Sequence, residues 1–184
     1  MVPYLLARAV RRLHGISTIP TDDDLARLAR HYRLRIVEEP KLLRSERIQE
    51  VYLQSPGERS ACLHLRPGLP RVDRRWIVAH SLIHHLSHEG NHLFASGLRA
   101  WETSKQERQA NLAAGFLFWC HLTDASPCLT PSLDEHEIAE LAEAPLCEVQ
   151  RWHWIRREIG AVTYQARLGD GEQAGWARHF AQVE

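Results

Sequence analysis

The sequence contains no run of apolar residues long enough to cross a bilayer, which argues against a helical membrane protein. It also lacks net charge, because 23 basic residues balance 23 acidic ones. No global field is therefore available to hold nucleic acid or an anionic membrane, although local basic patches remain open. None of Cys62, Cys120, Cys128 and Cys147 forms a C-x-x-C pair. That argues against an all-cysteine zinc site and favours reduced thiols in a cytoplasmic protein. The N-terminus lacks the charge, apolar core and cleavage site of a signal peptide, and its pattern is amphipathic instead. Histidine is what the chain has in excess: 12 residues, five of them between His80 and His92.

The hydrophobic pattern predicts helices, then a small sheet, then helices, an α+β order. Leu5, Leu6, Ala9, Val10 and Leu13 recur at helical spacing, and Gly15 can close that helix. Thr21 is a good N-cap for a second helix, whose buried face is Leu25, Leu28, Ala29 and Tyr32. "RLRIVEE", "RIQEVYLQ" and "SACLHLRP" read as strands, the last two joined as a hairpin by "SPGERS". A helix is expected over 76–88 with Gly90 as its stop, and another over 103–119. Two short helices are expected around Ala144 and Pro145. The length suits one domain over 1–184, with a core over about 18–130 and a helical segment over about 132–160.

The stretch "AHSLIHHLSH", residues 79–88, carries the chemistry. On a helical wheel, His84 lies about 40° from His80, His88 about 80° and Ser81 about 100°. Ala79, Leu82, Ile83 and Leu86 fall on the opposite side. Residues four apart are neighbours on a helix, so His80 and His84 can direct nitrogens at one metal ion. Taken alone, the same pattern also reads as a polar helix surface. The helix "SKQERQANLAAGFLFW" offers a third group. Glu107 can supply an oxygen ligand, or be a solvated charge between Lys105 and Arg108. Asn111, one turn on, can orient a ligating imidazole.

Together, "AHSLIHHLSH" and "ERQANLAAGFLFW" resemble the ImmA/IrrE family of zinc metallopeptidases, which pairs an A-H-E-x-x-H helix with an E-x-x-A-N helix. The flanking "IPTDDDLARLARHYRLRIVEE", the hairpin and "EIAELAEAPLCEVQRW" keep the same order, so the resemblance covers roughly residues 18–157. It implies a zincin-like fold, Zn2+ held by His80, His84 and Glu107, and action on a helix-turn-helix repressor protein. Ser81 departs from the pattern, because the family's glutamate at that position handles the water and its proton.

Three protein ligands leave one position on zinc open for water. Serine is not basic at neutral pH, and general acid–base help is worth about 10²–10⁴-fold. The expectation is a kept zinc site with weak or absent peptidase activity. His85 and His88 lie near Ser81 on the helix and are the candidate substitute bases. Without one, the chain reads as a pseudopeptidase that binds a partner or senses metal.

The C-terminal helix pair resembles a helix-turn-helix. Gln150, Arg151, Arg156 and Arg157 offer some DNA-binding chemistry, but the first helix is acidic. A packing or partner-binding role is favoured over duplex DNA, with Trp152 and Trp154 in a core or interface.

Overall fold

A computed structural model of the chain describes residues 3–44, 48–55, 57–88, 92–95, 105–123 and 133–159. Glu89, Gly90, Glu102, Cys128 and the segment 160–184 lie outside the described residues, as do the side chains of Cys120, Arg156 and Arg157. The elements are α1 (Pro3–Leu13), α2 (Asp22–His31), β1 (Leu34–Glu38), a 3-10 turn (Pro40–Arg44), β2 (Ile48–Gln54) and β3 (Ala61–Leu65). They continue with α3 (Arg71–Ser87), β4 (His92–Ala95), α4 (Lys105–Thr123), α5 (Glu135–Ala142) and α6 (Leu146–Ile159). The architecture is α+β, as the pattern predicts. Its contacts fall into two compact units, Thr21–Ala110 and a second built from Met1–Pro20 with Asn111–Glu184. The boundary lies inside α4.

The Thr21–Ala110 unit starts with a reciprocal cap. The Thr21 hydroxyl accepts from the Asp24 amide at 3.1 Å, and the Thr21 amide donates to the Asp24 carboxylate at 2.9 Å. Leu25, Leu28, Ala29 and Tyr32 are buried, as their spacing predicts. Arg33, at φ 59°, turns the chain from α2 into β1. The sheet order is β1-β3-β2-β4, with β1 parallel to β3 and β2 antiparallel to both its neighbours. The β2–β3 hairpin forms as expected. β4 was not foreseen and pairs with β2 at the sheet edge. Against β4 the register slips between Ile48 and Glu50, so Gln49 is an extra residue, a bulge. A bulge bends its strand and re-aims the residue that follows.

α3 packs against β3 and α2. It begins at Arg71, five residues before the expected Trp76, and ends at Ser87. Every residue from Arg75 to His84 is buried, so the imidazole face is interior too. A polar helix surface is thereby excluded for His80 and His84. The rest of the charge at this end is settled locally: buried Arg75 pairs with Asp22 at the start of α2 (3.0 Å).

In the second unit, Leu5, Leu6 and Val10 of α1 are buried, but Leu13 is exposed. Arg11 is buried and donates from Nη1 to the Leu117 carbonyl at 2.6 Å. That carbonyl precedes Trp119, whose φ of −125° interrupts α4. Gly115 allows a close approach: a Cβ there would collide with the rings of Trp152 and Trp119. α5 is capped by Asp134, whose side chain accepts from the amides of His136 (2.8 Å) and Glu137 (2.9 Å). Ile138, Ala142, Val149 and Trp152 are buried. Leu141 and Trp154 are exposed, contrary to the apolar pattern. On a helix, Trp154 lies about 200° from Trp152, so the two cannot share one buried face.

Candidate metal centre

α3 brings His80 and His84 onto one face, and α4 brings Glu107 opposite them. The Nε2 of His80 lies 3.3 Å from one Glu107 carboxylate oxygen, and the Nε2 of His84 lies 3.1 Å from the other. One ligand atom from each residue falls within 4.8 Å of the others. Zinc bonded at its usual lengths to nitrogen and oxygen sets tetrahedral ligands about 3.4 Å apart. The spacing of this donor set therefore fits a small cation, and the three residues together could hold a metal ion. Both imidazoles are buried, whereas Glu107 keeps 18% of its side chain exposed, leaving the cluster a side toward solvent.

Burial holds His84 below the ordinary histidine range, and charge on His80 adds to this, against the pull of Glu107. Burial pushes Glu107 up, but hydrogen bonds from His80 and His84 outweigh it and hold the carboxyl well below its ordinary range. The imidazoles meet the carboxylate where a cation would otherwise be shared among them. Metal binding releases protons held by its ligands.

The outer contacts suit this role. His88 Nδ1 lies 3.1 Å from His84 Nδ1, and His88 Nε2 lies 3.4 Å from Gln109 Oε1. His84, His88 and Gln109 form one chain of polar contacts leading away from Glu107. A contact to the far ring nitrogen is the kind that fixes the orientation of a ligating imidazole. His88 thus contacts the far side of one candidate ligand. Burial and the neighbouring His84 lower its own pKa. His85 points to the sheet. Its Nε2 donates to the Tyr32 carbonyl at 2.6 Å, and its Nδ1 lies 2.8 Å from the Tyr52 hydroxyl. Both nitrogens are engaged, and burial holds the ring below the ordinary range. His85 joins α3, β2 and the end of α2 rather than facing the cluster. Asn111 is buried on α4, one turn beyond Glu107.

One residue was missed. The Ser81 hydroxyl donates to Glu50 Oε2 of β2 at 2.5 Å, and Glu50 is only 1% exposed. Burial pushes the Glu50 carboxyl up to about 8, against the lowering effect of the Ser81 hydrogen bond, and the charge of Glu107 adds to the rise. The available signal was a glutamate inside an otherwise strand-like run.

At the C-terminal pair, Gln150 is exposed and Arg151 forms an ion pair with buried Glu148 of the same helix. Cys62 and Cys147 are free thiols. No described helix is long and apolar enough to cross a membrane. The chain matches no protein-family model and no curated protein.

Proposed function

We propose that the chain is a zincin-like metal protein of the ImmA/IrrE type, with zinc held by His80, His84 and Glu107, and that it acts on or binds a helix-turn-helix repressor. The observation that carries the metal reading is the pair of Nε2-to-carboxylate distances, 3.3 and 3.1 Å, made by groups from two different helices. Zinc is the best match to a two-imidazole, one-carboxylate set in a site that keeps a side open. Bound there, it would act as a Lewis acid and lower the pKa of water. The chain's own part is to hold the ligands: α3 fixes both imidazoles, His88 contacts the far nitrogen of His84, and Glu107 closes the set from α4. The repressor target rests on the paired motifs alone.

The test is incubation with helix-turn-helix repressors, starting with any that is encoded beside this gene, with and without zinc, read by intact mass and by gel filtration. Zinc-dependent fragments that disappear in Glu107→Ala are the expected result for a peptidase. A stable complex without fragments supports the pseudopeptidase reading. Neither fragments nor a complex overturns the repressor assignment. The DNA-binding alternative gains nothing from Arg151, which is tied to Glu148.

A further inference from the structure

We propose that Glu50, a strand residue, supplies the carboxylate that α3 lacks at position 81, and that Ser81 positions it. This inference rests on the metal-site reading above and deepens it.

The geometry comes first. The Ser81 hydroxyl and the 2.5 Å hydrogen bond it donates to Glu50 together span about the reach of one glutamate side chain. A side chain divided between helix and strand thus stands where an unbroken one is absent. Ser81 immediately follows His80, so the pair is tied to the ligand helix. The negative charge of Glu107 is felt at Glu50, although Glu50 is outside the ligand group itself. Glu50 follows the Gln49 bulge directly and stands in register with Leu65 of β3 and Phe94 of β4. Bulges recur next to active sites, where they re-aim a side chain.

Folding gives no reason for this carboxyl. Glutamate is almost never fully buried unless paired, and Glu50 has no described Lys or Arg beside it. An apolar residue on this face would be cheaper to bury. A carboxyl near 8 can change its protonation around neutral pH, as a general base and acid must.

In peptide hydrolysis the steps balance as follows. The oxygen of a water molecule bonds to the carbonyl carbon, and one of its protons passes to ionised Glu50. Glu50 returns that proton to the amide nitrogen as the C–N bond breaks. The water's other proton leaves with the new carboxyl group, and Glu50 ends ionised. Ser81 touches none of these atoms; it holds Oε2 in place.

Cobalt(II), loaded into the chelator-treated full chain, is the probe. Its visible spectrum is followed from acid to alkaline pH in wild type, Glu50→Gln, Ser81→Ala and the double variant Glu50→Gln with Ser81→Glu. Gln keeps an acceptor for the Ser81 hydroxyl but cannot ionise. The expected result is a spectral transition in wild type that disappears, or moves by about one pH unit or more, in Glu50→Gln. It should move upward in Ser81→Ala, because the lost hydrogen bond favours the ionised form, and it should return in the double variant. The upward shift in Ser81→Ala tests the same assignment if Glu50→Gln fails to fold. Cobalt bound with one unchanged transition in all variants overturns the role of Glu50 and leaves the metal site standing. No cobalt bound by wild type overturns both.

Discussion

The two units solve the problem of an interior in opposite ways. The unit built from Met1–Pro20 and Asn111–Glu184 packs aromatic rings: Trp152 meets Phe116 and Trp119 edge-on, at centroid distances of 5.1 and 5.5 Å. Its Nε1 donates to the Leu112 carbonyl at 3.1 Å, and Gly115 makes room for the ring. Buried charge there is settled nearby, Arg11 on a carbonyl and Glu148 with Arg151. The Thr21–Ala110 unit instead buries Glu50, His80, Ser81 and His84 side by side along α3 and β2. Burying polar groups costs free energy unless each is matched, and apolar residues would serve a fold better. The first interior is explained by stability. The second buries polar groups that stability alone does not call for.

The comparison is sharpest where stability dominates. Trp152→Ala should cost about 3–5 kcal/mol, read by denaturant unfolding. A loss under about 1 kcal/mol would mean that the aromatic cluster does not hold its unit together.

The next effect depends on pH and belongs to the polar interior. In the chelator-treated chain the folded state holds the Glu50 proton up to about pH 8, whereas an ordinary glutamate loses it near 4.5. Stability from this group is therefore full below about 4.5 and is lost as pH rises through about 8. Glu50→Gln removes that slope. Across the window, wild type should lose roughly a few kcal/mol relative to the variant. Parallel stability curves would show that Glu50 is not buried as described.

Tyr52→Phe deletes the hydroxyl that meets His85 Nδ1 and should cost about 1–3 kcal/mol while leaving metal binding intact. If metal binding falls as well, His85 belongs to the site rather than to the scaffold. At the small end, Trp154→Ala should stay within about 0.5 kcal/mol, since that ring is exposed. A large cost would undo the contrast with Trp152.

Much of this was legible in the sequence because it is local. The Thr21 cap, the hairpin, the buried face of α2 and the placing of two histidines one helical turn apart all follow from short-range spacing. The joining of His80, His84 and Glu107 came from reading two motifs as a pair, and the structure brings all three together. Glu50 escaped because β2 has apolar residues on both faces: Val51 and Leu53 on one, Ile48 and Tyr52 on the other. Alternation could not choose between them. The structure leaves Leu53 exposed and buries Glu50 with Tyr52, after a bulge that depends on pairing with the distant β4. The engagement of His85 was hidden for the same reason, since its partners Tyr52 and Tyr32 lie far away in the chain.

The most direct test of the central claim is metal content, measured on tag-free protein purified without chelator, for wild type, Glu107→Ala and Glu50→Gln. About one zinc per chain in wild type and Glu50→Gln, with little or none in Glu107→Ala, is the predicted result. A wild-type chain that takes up no zinc even when it is supplied, or a Glu107→Ala chain that keeps its full complement, would contradict the account.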